Sequence, residues 1–240
     1  MTDSVLLRRH CADATDANLA AALKAARQSV DAFSRVTRES GSLIQSWVKD
    51  AVVVQSDHYP RGDVVDLRRG SQFFYHAHRS QDGEHGHLHL FWHATESGRR
   101  RYAAGRTPRW TRTAPTHLLA IGLDSRGLPT SLFTVNRWVT DGHWFDAQAT
   151  LGMVDRFSIS GKPDYEGSGA WLTAFVRMYR PLISGLLQRR DRRMSRRNNL
   201  QTALDDRGLE LLSLVALDWA ADLDTLERAC ARRRWARRNA

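Results

Sequence analysis

Six histidines fall from Phe73 to His93, in the runs Phe73-Phe74-Tyr75-His76-Ala77-His78 and His85-Gly86-His87-Leu88-His89-Leu90-Phe91-Trp92-His93. Neutral imidazole is the commonest protein metal ligand. An all-nitrogen donor set suits zinc, iron, copper or nickel better than magnesium or calcium. The runs also alternate as strands do, with side chains two apart on one face. His76 and His78 then project together with Phe74, and His85, His87, His89, Phe91 and His93 project together on the next strand. Leu88, Leu90 and Trp92 form the opposite, apolar face. Antiparallel pairing across Arg79 to Glu84 sets His78 opposite His85 and His76 opposite His87. A longer loop sets His78 opposite His87 and His76 opposite His89. Cross-strand partners stand roughly 4.5–5.5 Å apart at Cβ, so in either register three or four ring nitrogens converge. A slip of one residue would split them between two faces.

The expected metal ligands are therefore His76, His78, His87 and His89, with His58, His85 and His117 as further candidates. The bland alternative is a polar sheet face bonded to water, arginines and carboxylates. Density favours the metal, because clustered imidazolium ions repel one another whereas a cation organises neutral rings. A catalytic centre also needs an open position and partners that orient each ring. Asp57, Asp63 and Glu84 are the available carboxylates, and Glu84 could instead be a direct ligand. Tyr75 points away from His76 on a regular strand and reads as packing. In Thr134-Val135-Asn136-Arg137-Trp138-Val139-Thr140, Asn136, Arg137 and Thr140 offer hydrogen bonds to a small anionic substrate. Arg137 would grip a carboxylate or phosphate bidentately. Strand alternation sets Asn136 and Arg137 on opposite faces unless a bulge intervenes. The candidate catalytic groups are Arg137, Asn136 and Glu84.

These groups need a frame. Leu19, Leu23, Ala26, Val30 and Phe33 recur at helical spacing within a helix over 16–39 that Gly41 ends. Ala51 to Gln55 reads as a strand, and Ser56 to Asp63, with Pro60 and Gly62, as a turn. After the histidine hairpin comes a polar connection from Ala94 to Pro115 holding Arg99, Arg100, Arg101, Arg106, Arg109 and Arg112. Its length suggests a functional segment, a cap over the site. His117 to Leu123 and Ser131 to Val139 read as a second hairpin. Phe145 to Phe157 and Ala170 to Gln188 read as helices, the second kinked at Pro181. Leu209 to Leu217 fits a strand or the start of a helix, and Asp222 to Arg234 a basic helix. The expected fold is α+β, an antiparallel β-sheet with an N-terminal helix and C-terminal helices packed on it. It is taken as one domain over 1–240, with a sheet region at 51–140 and a helical region at 145–236 ending in a basic tail.

The chain has 240 residues, 42% of them hydrophobic, enough for a substantial core. Its two cysteines, Cys11 and Cys230, form neither a disulfide framework nor a cysteine zinc motif. A reduced, cytoplasmic setting fits, and no run of about 18 apolar residues marks a membrane span. The net charge of +10 comes from 33 arginines but only Lys24, Lys49 and Lys162 among lysines, a skew typical of GC-rich coding. Arginines cluster from Arg189 to Arg197 and from Arg228 to Arg238. With no stacking platform or helix-turn-helix pattern, nucleic acid is not the expected main partner. No Gly-x-Ser-x-Gly elbow, P-loop or dinucleotide glycine fingerprint is present.

The ordered motifs Asp57-His58-Tyr59-Pro60-x-Gly62-Asp63, Tyr75-His76-Ala77-His78-Arg79, Glu84-His85-Gly86-His87-x-His89-x-Phe91 and Thr134-x-Asn136-Arg137-Trp138-Val139-Thr140 resemble an uncharacterised bacterial family of unknown function. That resemblance implies that the motifs form one unit and brings no activity with it. Gly70-x5-His76-x-His78 resembles the opening of the first cupin motif, although Glu84 follows later than is usual and no second motif is found. His85-Gly86-His87-Leu88-His89-Leu90-Phe91 looks like the histidine-triad signature, which would make His87 the orienting residue and His89 a nucleophile on phosphorus. Gly86 departs from the apolar residue usual there. The expectation is a histidine-ligated metalloenzyme acting on a small anionic substrate. The alternatives are a non-catalytic metal or haem-binding module and metal-independent nucleotide phosphoester chemistry. Oligomeric state is left open.

Overall fold

A computed structural model describes residues 4–77, 84–93, 115–160 and 162–238. His78, Arg79 and residues 94–114 of the arginine-rich connection lie outside the described residues, and with them the fourth expected ligand and the expected cap. Among the described residues the fold is α+β, built on one six-stranded antiparallel sheet with strands in chain order. These are β1 (Tyr59–Asp66), β2 (Ser71–Ala77), β3 (Gly86–Trp92), β4 (Thr116–Leu123), β5 (Pro129–Val135) and β6 (Leu211–Ala216). The helices are α1 (Ser4–Asp13), α2 (Asp16–Ser40), α3 (Leu43–Val48), α4 (Arg137–Thr140), α5 (Ala147–Arg156), α6 (Glu166–Met178), α7 (Arg180–Ser195), α8 (Leu200–Leu204) and α9 (Trp219–Arg238). β6 returns from the helical half of the chain to pair with β5.

Strand alternation makes one face of the sheet apolar. Phe73 and Tyr75 on β2, Leu88 and Leu90 on β3, Leu119 and Ile121 on β4 and Leu132 on β5 are all fully buried. Each such side chain stabilises the fold by roughly 1.5–3 kcal/mol relative to exposure. The helices cover this face through aromatic contacts: Trp47 of α3 meets Phe73, Tyr75 and Trp171 with ring centroids 5.9, 5.8 and 6.4 Å away. α2 begins where Thr15 Oγ1 accepts the Asn18 N–H at 3.2 Å and ends at Gly41, whose φ of 81° suits glycine alone. Its buried stripe includes Leu19, Leu23, Ala26 and Val36.

Several elements differ from the sequence reading. Ala51 to Gln55 is not a strand but an exposed irregular segment, with Val52 85% accessible. Pairing starts at Tyr59 instead, and the Pro60 to Asp63 stretch read as a turn lies inside β1. There the register shifts between Tyr59 and Val64, with φ of 82° at Gly62 and 60° at Asp63. A bulged edge strand tolerates both the proline and the positive φ values. β5 stops at Val135 and not at Val139, because Asn136 turns the chain into α4. The kink expected at Pro181 is a break between α6 and α7, and Pro181 sits in the first turn of α7, where a missing N–H costs nothing. The last apolar run is the strand β6, not a helix start. No described helix is long and apolar enough to cross a membrane.

Candidate metal centre

The opposite face of the sheet carries the histidines. β2 and β3 pair so that His76 faces His87 and Phe74 faces His89, the shorter-loop register of the two expected. β3 and β4 pair so that His87 faces Gly122 and His89 faces Ala120. A shift beyond Leu90 then brings Phe91 opposite His117. His76, His87, His89 and His117 therefore share one face, in adjacent strands.

Three of them converge. His87 Nε2 is 2.7 Å from His76 Nε2 and 3.1 Å from His89 Nε2. These rings form the group, among the described residues, that could hold a metal ion. His89 is 3% exposed, and His76 and His87 are partly buried. In tetrahedral coordination, ligands at 2.0–2.1 Å lie about 3.3 Å from one another, and the three ligand nitrogens here all lie within 4.8 Å of one another.

The proton inventory also fits a cation. His87 Nδ1 donates to Glu84 Oε1 at 2.6 Å, so in the neutral, metal-binding ring Nε2 carries the lone pair. In that neutral ring, hydrogen bonding alone would have the one lone pair serve both His76 and His89. A cation would satisfy all three nitrogens together. Burial first, and the neighbouring His117, His87, His76 and His58 next, push the pKa of His89 well below its ordinary value. His117 is brought down to about 3, by burial foremost and then by Arg190 and His87. Neutral rings are the state that binds metal.

Behind the ligands stand groups that orient them. Glu84 fixes His87, and His117 Nε2 lies 3.0 Å from His89 Nδ1. Glu84 has its own seat. A Cβ at Gly122 would lie 2.6 Å from Glu84 Oε2 and 2.4 Å from Ser131 Oγ, so the carboxylate occupies the space left by the missing side chain. Beside His76, His58 stacks on Phe74 at 3.5 Å between centroids. Its Nδ1 donates to Asp63 Oδ1 at 3.0 Å. Gln72 Nε2 donates to Asp63 Oδ2 at 2.6 Å, and Gln72 Oε1 accepts from His93 Nε2 at 2.6 Å. Phe74, Phe91 and Phe133 line the same face, with Phe133 edge-on to His87 at 5.0 Å.

Other expected site residues go elsewhere. His85 precedes β3, and its Nδ1 is 2.6 Å from the Tyr75 hydroxyl. Simple alternation fails there because Gly86 lets the phenol pass: a Cβ on Gly86 would meet the Tyr75 hydroxyl at 2.5 Å. His117 orients His89 and does not join the converging nitrogens. His58 lies beside His76, their rings 6.3 Å apart, outside the group of three. Glu84 contacts His87 Nδ1, the nitrogen that faces away from the convergence. Asn136 caps α4, its Oδ1 accepting the Arg137 N–H and its Nδ2 donating to the Ala203 carbonyl at 2.8 Å. Arg137 pairs with the exposed Asp205. Both line a small cavity beside His117, but its free volume of about 10 Å³ admits no more than about one water. Sequence reasoning missed Gly122, Ser131 and Phe133. A glycine inside the apolar run Ala120-Ile121-Gly122-Leu123 was the available signal, since strand glycines mark close approach.

The class of protein thus defined is an α+β fold with a three-histidine cluster on one face of an antiparallel sheet. The chain belongs to the family described as a domain of unknown function, DUF6969, whose family model matches residues 23–217. No curated protein and no solved structure matches it.

Proposed function

We propose that this protein binds one transition-metal ion through His76, His87 and His89 and uses it in catalysis. The observation that carries the reading is the approach of three Nε2 atoms to 2.7 and 3.1 Å around His87. Three imidazoles leave coordination positions open, as catalytic sites require. An ion there would supply Lewis-acid or oxygen-activating chemistry, with zinc, iron, copper and nickel all compatible with nitrogen donors.

The chain's own groups complete the site. Glu84 and His117 hold two ligand rings in orientation. Phe74, Phe91 and Phe133 keep apolar surface around them, which strengthens electrostatic interactions nearby. The half-exposed His58, backed by Asp63, stands at the rim. A small anionic substrate would be drawn by the ion's charge. Arg137 would join only by exchanging Asp205, an exposed partner that is cheaply given up.

Elemental mass spectrometry on tag-free protein and on His87→Ala tests the metal. The expected result is about one transition-metal ion per chain in the parent and little in the variant. A folded parent that takes up no ion after incubation with zinc, iron, copper and nickel salts would overturn the reading. Turnover then separates catalysis from metal carriage.

A further inference from the structure

Away from the sheet, α1 and α9 face each other across a cleft of about 610 Å³. Arg8 and Cys11 of α1 and Thr225, Arg228, Arg232 and Arg233 of α9 line it, and among the described residues no carboxylate does. The α9 residues recur at i, i+3, i+7 and i+8, so they occupy one helix face. Arg233 is already committed. It donates to Asp16 Oδ1 at 2.7 Å and to the Cys11 and Ala12 carbonyls at 3.0 Å, which fastens α9 to the end of α1.

The other three arginines are different. Arg8, Arg228 and Arg232 are exposed and, among the described residues, have no ion-pair or hydrogen-bond partner. Arg228 and Arg232 are four apart on one helix, a spacing at which like charges repel, and Arg8 adds a third charge from the facing helix. Four guanidinium groups line one concavity, with Asp16 engaged by Arg233 and the buried Asp222 acting on the Cys11 thiol from behind, and their fork geometry matches phosphate oxygens. The volume falls within the range of small-ligand sites, and the floor beside Cys11 is made by Ala12 and Ala229, small enough for an organic group to lie against. Both helices lie outside the family-matched residues 23–217.

We infer that the α1–α9 cleft binds a small anion carrying two or more phosphate groups, free or attached to an organic body. The site is separate from the histidine cluster. Calorimetric titration of the full chain with tripolyphosphate and with ATP, in the presence of a chelator so that no metal-bound phosphate contributes, tests it. Saturable one-to-one binding is expected, and the double variant Arg228→Ser/Arg232→Ser should weaken it about tenfold to hundredfold. Equal affinity for both probes would assign recognition to the phosphate chain. Tighter binding of ATP would add the organic body. Absence of binding by either probe at about 1 mM, or binding unchanged in the folded double variant, would overturn the inference. So would an oligonucleotide that outcompetes both probes at the same arginines, since that would make the surface a nucleic-acid site.

Discussion

The two faces of the central sheet are written by the same alternating residues yet solve opposite problems. On the helix side Phe73, Tyr75, Leu88, Leu90, Leu119 and Ile121 are fully buried against α3, α6 and their neighbours. On the other side His76, His87, His89 and His117 face one another, with apolar rings beside them. One face removes hydrocarbon from water. The other holds neutral imidazoles close enough that a cation relieves their crowding. Because side chains at i and i+1 point oppositely, β3 serves both roles with Gly86-His87-Leu88-His89-Leu90 and needs no extra element. Stability and chemistry should therefore separate by face.

The largest effect should come from the helix side. Phe73→Ala removes a fully buried ring that touches Trp47 and should cost about 3–5 kcal/mol in urea unfolding, with metal binding per folded molecule retained. A loss near that of a surface substitution would break the comparison. On the histidine side His87→Ala should do the reverse. Metal affinity should fall about 100-fold or more, while metal-free stability should change by only about 1 kcal/mol. Competition with a chromophoric chelator and urea unfolding of the same preparation give both numbers.

A finer cut is Gly122→Ala, which touches no ligand. Its methyl group would displace Glu84 and Ser131, and loss of an orienting carboxylate costs about 10–100-fold in metal affinity. Parent-like affinity in a folded Gly122→Ala protein would show that Glu84 does not depend on that space. The smallest effect is the pH dependence of the metal-free protein. His89 and His117 have depressed folded pKa values, the latter about 3, so between pH 6.5 and 3 the unfolded chain binds the extra protons. Stability should therefore fall as pH falls from about 6.5, by at most about 1.4 kcal/mol per pH unit for each histidine. Urea midpoints measured from pH 7.5 to 4.5 check the sign, and midpoints that rise toward acid would contradict the burial of neutral rings.

Much of this was legible in the chain. Period-two alternation put His76 with His87 and His89 on one face, and the tight loop register set His76 opposite His87. The amphipathic stripe and Gly41 gave α2 within a residue of its end. What could not be read was set by contacts remote in sequence. His85 leaves the expected face because Gly86 opens a path for Tyr75. β1 runs through a proline because an edge strand needs ladder bonds on one side only. Asn136 looks like a strand residue until Ala203, far along the chain, supplies the carbonyl for its amide. Glu84 could be named as a carboxylate near the site, but its seat over Gly122 depends on how β3, β4 and β5 align.

The most direct test of the three-nitrogen centre is X-ray absorption at the metal edge, on protein loaded with one equivalent of zinc. The account predicts first-shell scattering from about three imidazole nitrogens at 2.0–2.1 Å, falling to two in His76→Ala. A first shell with one imidazole or none, unchanged in that variant, would contradict it.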